Sequence, residues 1–255
     1  MLAVALPLVL LQLSQGAPVM TSVTFHGITD TLKPEDEKYA KALNTAAEAF
    51  KEAEALFTDD AFLAKRGWKK ETETDGGDVV YGKHTPNGKM VTVSTILEGH
   101  VDAVMTETWT GVPGLAEWNP NINYASVVAA PTEHFDIVTY GNNDVLIVSG
   151  RDFVSSRLYR PIPTGGYRMV SRSVEVDSKP EEKGKVRAHL YLAAVQFTPV
   201  PDNDKRTRCD VIMLVDLKGM LPKMLVNQVI PKIMVMDTEE NVKHFKELAE
   251  KTNGQ

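Results

Sequence analysis

DLKGMLPKMLVNQVIPKIMVMDTEENVKHFKELAEK, residues 216–251, lies at the C-terminal end of the chain. Within it Leu221, Leu225, Val229, Ile233 and Met236, then Val242, Phe245 and Leu248, recur three or four residues apart. That spacing sets them on one face of an α-helix of about 30 residues. Pro231 falls inside the helix, where its missing N–H and its ring are expected to kink the helix or split it near the middle. A stripe of this length has to be buried against another element, so the fold depends on what precedes it.

Upstream, residues 124–130, 135–140, 151–159, 167–176, 186–197 and 208–215 are rich in β-branched and aromatic side chains. They read as strands. Their connectors, at 142–144, 161–166, 179–184 and 199–205, are turn chemistry, and successive strands with short links imply an antiparallel sheet. Residues 79–83 and 90–97 add a hairpin through Thr85, Pro86, Asn87 and Gly88. Earlier still, Tyr39, Leu43, Ala46, Phe50, Ala53 and Phe57 draw an apolar helical stripe. Pro34 and the acidic Glu35, Asp36 and Glu37 suit the start of that helix. A short helix near 101–107 and a Gly/Pro break at 111–114 interrupt the strands. A helix, a long antiparallel sheet and a final helix make one α+β domain over residues 34–252, with no internal repeat.

The 255 residues, 43% hydrophobic and 24% charged, suit an ordinary globular protein. A net charge of −6 with interspersed signs argues against a nucleic-acid binder, which needs a surplus of cations on one face. Residues 1–16 carry no charge, and their apolar run at 2–13 is shorter than the ~20 residues that span a bilayer. It suits a signal peptide, with Ser14 and Gly16 placing cleavage before Ala17. A secreted protein with an extension at 17–33 is the expectation, and a cytoplasmic one the alternative. Cys209, the single cysteine, permits no intrachain disulfide and reads as a core residue.

Catalytic patterns are sparse. There is no Gly-x-Ser-x-Gly elbow, and the six histidines include no pair at metal-ligand spacing. Thr164-Gly165-Gly166 and the Asp202/Asp204 stretch read as turns. Five of ten methionines, Met213, Met220, Met224, Met234 and Met236, gather in the last strand and last helix. Methionine fills irregular space, as plain core or against an apolar ligand.

RDFVSSR, at 151–157, is a strand of mixed character. Alternation puts Phe153, Ser155, Arg157 and Tyr159 on one face and Val154, Ser156 and Leu158 on the other. A guanidinium cannot shed its proton, so an inward Arg157 needs a carboxylate, carbonyls, water or a ligand oxygen.

This stretch, with GWKK (67–70), EWNPNI (117–122), PEEKGKVRA (180–188) and DLKGMLPKMLVNQV (216–229), resembles the START (steroidogenic acute regulatory protein-related lipid transfer) domains, most closely their sterol- and carotenoid-binding branch. The matches occur in family order and cover roughly residues 34–251. The resemblance implies a helix-grip fold, a curved sheet wrapped around the C-terminal helix to leave a tunnel for one lipid. It places Arg157, Phe153 and Ser155 on the tunnel wall. It implies an acidic partner for Arg157 on the preceding strand, where Thr139 aligns near the acidic position and Asp136 and Asp144 lie close by. By the same resemblance Trp118 and Asn119 and, on the closing helix, Met220, Met224, Val229 and Ile233 line the ligand site. Val145, Leu146, Ile147 and Val148 form a lid loop, either buried on the helix or inserting transiently into a membrane surface.

The expected protein is a monomeric, non-enzymatic carrier of one hydrophobic molecule, a sterol or a carotenoid, without metal or other cofactor. Two alternatives are a hydrolase or isomerase acting on a lipid in the same cavity, and an interaction module docking through its Met-rich helix. Arg157→Leu is expected to change ligand preference and leave the fold intact.

Overall fold

A computed structural model describes residues 21–253, so the expected leader at 1–16 lies outside the described residues. The described chain begins with a small hairpin, β1 (Ser22–Phe25) and β2 (Ile28–Thr31), within the segment expected only as an extension. A 3-10 turn (Pro34–Tyr39) leads into α1 (Ala40–Thr58) and the short α2 (Asp60–Leu63). Next come β3 (Lys69–Glu73), β4 (Val79–Thr85), β5 (Gly88–Glu98), α3 (Val101–Thr110) and α4 (Leu115–Trp118). The run β6 (Ile122–Ala129), β7 (Phe135–Asn142), β8 (Asp152–Pro161), β9 (Tyr167–Ser173), β10 (His189–Val200) and β11 (Asn203–Asp216) precedes α5 (Lys223–Asn253).

Nine of these strands form one sheet in the order β3-β4-β5-β11-β10-β9-β8-β7-β6, and every neighbouring pair is antiparallel. The pairing of β11 with β5 joins two meanders into a single surface. Helix α1 covers the outer face: Leu43, Ala46, Phe50 and Ala53 pack with Phe135, Val154, Leu158 and Val170. Helix α5 lies in the grip of the inner face, where Val229, Ile230 and Met234 pack with Val80, Val91, Phe153 and Leu190. The α+β helix-grip architecture is the one expected.

The alternation expected for 151–159 is observed. Val154 and Leu158 face α1, and Arg157 and Phe153 face α5. Strand β10 departs from simple alternation through a bulge between Leu190 and Leu192. The extra residue turns Leu190 inward and Leu192 outward, although two residues apart on a regular strand would share a face.

One expectation needs correction. Helix α5 runs unbroken through Pro231, so the proline does not split it. Proline removes only the rung to the Asn227 carbonyl, and burial of Val229, Ile230 and Met234 on either side holds the axis together. The edge strand β3, KKETE, has no apolar alternation to betray it, and its charges suit an edge that must not pair with another chain.

Candidate functional site

Between α5 and the inner face lie two adjoining cavities of about 230 and 80 Å³, which share Tyr140 and Leu190. Together they reach the lower edge of the ~300–1,000 Å³ usual for small-molecule sites. The larger is walled by Val112, Leu115, Trp118, Val138, Met169 and Phe245, with Glu107, Arg157 and His244 also on its lining. The smaller is walled by Val145, Phe153, Met213, Val215, Ile233 and Met236. A roomier groove of about 620 Å³ lies on the outer side between α1 and residues 174–189. It is lined by Lys41, Glu175, Asp177, Arg187 and Lys218, which makes it a wet, charged surface feature rather than a lipid site.

Arg157 stands directly across the β7–β8 ladder from Asp136. Its Nε donates to Asp136 Oδ1 at 2.8 Å and its Nη2 to Oδ2 at 2.5 Å, in a fork that matches guanidinium to carboxylate. Nη1 and Nη2 also donate to the Thr108 and Trp109 carbonyls at 3.3 and 2.9 Å. These carbonyls belong to the end of α3, where the helix dipole is negative, and the Trp109 ring lies 4.3 Å from the guanidinium carbon. Burial pushes the Asp136 carboxyl up while the Arg157 guanidinium pulls it down, and burial prevails. The needs of the inward cation are thus met by a carboxylate and two carbonyls. Asp136, Val138 and Tyr140 share the inner face.

Thr139 lies on the opposite face of β7, where its hydroxyl donates to the Phe153 carbonyl, so it is not the partner of Arg157. Asp144 accepts from Gly150 N and closes the lid loop instead. Ser155 lies between Phe153 and Arg157 on the cavity face, opposite Val138. Its hydroxyl is buried and has no hydrogen-bond partner among the described residues.

Of the other expected residues, Trp118 lines the larger cavity and stacks on His244 at 3.9 Å between ring centroids. His244 Nε2 is 2.9 Å from Glu107 Oε1, which ties α5 to α3. Asn119 is buried behind the wall, accepting from Asn121 N. Ile233 lines the smaller cavity. Val229 is wholly buried in packing and does not reach either cavity. Met220 and Met224 are corrections: both are exposed, at 103% and 73%, because they lie in the segment before α5 and on its first, outward-facing turn. The methionines that do line the site are Met169, Met213 and Met236.

The lid loop divides evenly. Val145 and Val148 are buried and bond to each other across a tight turn, N to O in both directions. Leu146 and Ile147 at its tip are 60% and 82% exposed. Leu146 and Met224 flank one surface groove beside α5.

Asp237 is the functional candidate that sequence reading missed. It lines the smaller cavity, with Asn121 Nδ2 donating to its Oδ1 at 3.4 Å. Burial drives its carboxyl up to about 6, against the hydrogen bonds from Asn121 and Asn119. Among the described residues no group of His, Cys, Asp and Glu could hold a metal, and no helix is long and apolar enough to cross a membrane.

A nine-stranded antiparallel sheet gripping a C-terminal helix, with a buried ion pair in the hollow between them, defines the helix-grip class. Residues 48–251 match the START domain, and the chain belongs to that family. It is 56% identical over 234 residues to steroidogenic acute regulatory-like protein 1 of Caenorhabditis elegans, covering 91% of this chain and 90% of that one. To the mitochondrial steroidogenic acute regulatory protein of Homo sapiens it is 29% identical over 180 residues, 67% of this chain and 61% of that one. Among solved structures, human StAR-related lipid transfer protein 5 superposes with a TM-score of 0.71 at 21% identity, covering 82% of this chain and 99% of that one. Human STARD10 follows at 0.66 and 17%, covering 81% and 82%.

Proposed function

We propose that the protein is a non-enzymatic carrier that binds one apolar molecule, a sterol or a carotenoid, between α5 and the sheet. The observation that carries this reading is the hollow between α5 and the sheet, largely apolar in its walls, with the Asp136-paired Arg157 guanidinium on its lining. An oxygen on the ligand would satisfy the one guanidinium N–H of Arg157 left over from its four bonds. Burial of the rest of the ligand supplies the driving force, ~25 cal/mol for each Å² removed from water before ordering is subtracted. The family and the names of its relatives, which speak of lipid transfer and of steroidogenic regulation, support a lipid ligand.

Such a carrier needs no catalytic group and no cofactor. Ser155 Oγ has no base within hydrogen-bond reach, and burial raises the Cys209 thiol far above the range of a reactive one. The exposed Leu146, Ile147, Met220 and Met224 are suited to brief contact with a membrane surface during loading. We propose action as a monomer, and export directed by residues 1–16.

Organic extraction of the natively purified protein, followed by mass and absorption spectra, tests the reading. A sterol mass or a visible carotenoid band at near one molecule per chain is expected. Protein that is repeatedly empty, and takes up neither when offered both, would overturn it. Detection of the N-terminus of the mature protein at Ala17 checks the export reading.

A further inference from the structure

We propose that Asp237 is a second polar anchor inside the cavity, so that the preferred ligand carries two oxygen functions separated by an apolar body, one near Arg157 and one on α5. This rests on the carrier reading above and adds the chemistry of the ligand's other oxygen.

The two cavities follow one face of α5. Ile233, Met236 and Asp237 face the smaller, and Asn241, His244 and Phe245 the larger. From Ile233 to Phe245 the helix rises ~18 Å, the reach of an elongated ligand rather than a compact one. Arg157 belongs to the larger cavity and Asp237 to the smaller. Arg157 thus faces one compartment and Asp237 the other, and Glu107 and His244, which also line the larger, bond to each other.

The environments of these two groups differ. Arg157 meets a carboxylate and two carbonyls. Asp237 is the only carboxylate lining its cavity, and no cation pairs with it among the described residues. Its contact from Asn121 is long, at 3.4 Å, and a carboxylate offers about four acceptor positions. A carboxyl on a cavity wall, with the Asn121 and Asn119 amides as its donors and no cation, is a poor choice for packing, since leucine there would satisfy the same walls. It is a good choice for receiving a hydroxyl, and when protonated it can donate to a carbonyl oxygen instead. Holding the 119–121 loop against α5 does not require a carboxyl facing the cavity.

Equilibrium binding of cholesterol, with one hydroxyl, and of a cholesterol hydroxylated on its side chain separates these roles. The full chain is compared with Asp237→Leu and Asp237→Asn. Wild type is expected to prefer the two-hydroxyl sterol by about tenfold. Asp237→Leu is expected to bring that ratio to about one, and Asp237→Asn to reduce it severalfold. A role confined to stability would move the unfolding midpoint and leave the ratio alone. An unchanged ratio in Asp237→Asn, which keeps the shape if the leucine variant fails to fold, overturns the inference. So does cholesterol binding without discrimination in wild type. Failure of both sterols to bind wild type removes the sterol reading as well as this inference, a different result from either of those.

Discussion

Asp136 and Arg157 face each other across one rung of an antiparallel ladder, joined by two hydrogen bonds with both side chains buried. Neither charge can be removed alone without stranding the other, and Arg157 also gathers the last carbonyls of α3. The pair to which we assign ligand orientation is therefore also part of the fold. This changes the sequence-based expectation that Arg157→Leu would leave the fold intact.

Arg157→Leu and Asp136→Leu should each destabilise by about 3–5 kcal/mol, the usual loss when one member of a buried pair is removed. The double variant should lose less than the sum of the two. Urea unfolding of the three variants measures this, and additive losses would show the pair to be uncoupled.

Asp237 predicts the pH dependence of stability. Its folded carboxyl is raised to about 6 from an ordinary value near 3.9, so between those values the folded state binds more protons than the unfolded. Stability from this group is therefore fully present below about pH 4 and falls as pH rises towards 6, at about 1.4 kcal/mol for each unit of the rise. Asp237→Asn should be more stable than wild type at pH 7, with the gap closing near pH 4. Unfolding midpoints at both values check the sign, and a gap that widens on acidification would contradict it.

Leu146→Asp with Ile147→Asp should weaken sedimentation with phospholipid vesicles at least severalfold. Both side chains are exposed, so unfolding stability should stay within about 0.5 kcal/mol. Val145→Asp, by contrast, places a charge in the packed half of the lid and should destabilise it by several kcal/mol. Undiminished vesicle binding by the tip variant would assign membrane contact elsewhere.

Pro231 leaves one carbonyl of α5 without its rung, next to the exposed groove at Leu146 and Met224. Pro231→Ala should restore that bond and stabilise the helix by up to about 3 kcal/mol, less whatever packing the ring supplies. Slower hydrogen exchange over residues 226–236 and slower ligand release are the expected readouts. Faster exchange would mean that the ring packing outweighs the missing bond.

Much of this architecture was legible because the elements obey their periods. The stripe from Leu43 to Phe57 and the C-terminal stripe from Leu225 to Leu248 fall on α1 and α5, and β8 alternates as Phe153, Ser155 and Arg157 require. Legibility ended where periodicity did. The β10 bulge that turns Leu190 inward and the charged β3 edge have no apolar rhythm, and the 22–31 hairpin looks like an extension. At the site, the resemblance left Thr139, Asp136 and Asp144 all open, and only the register, with its strict change of face at each residue, sets Asp136 across from Arg157. The methionines show the same limit: composition places them near the helix, but the helix face alone decides that Met236 enters the hollow and Met224 faces away from it. Asp237 gave no signal, because an acid in a helix with charged neighbours reads as a solvated face until the fold turns it inward.

The central claim is that the hollow beneath α5 holds the ligand, and filling that hollow tests it. Ala193 lines the larger cavity on β10, where a phenylalanine would occupy its space. The decisive measurement is the stoichiometry of sterol and carotenoid uptake by wild type and by Ala193→Phe, with folding verified by circular dichroism. One molecule per wild-type chain and uptake abolished or reduced at least tenfold in the folded variant is the predicted result. Equal uptake by both proteins would put the ligand outside the cavity and contradict the account.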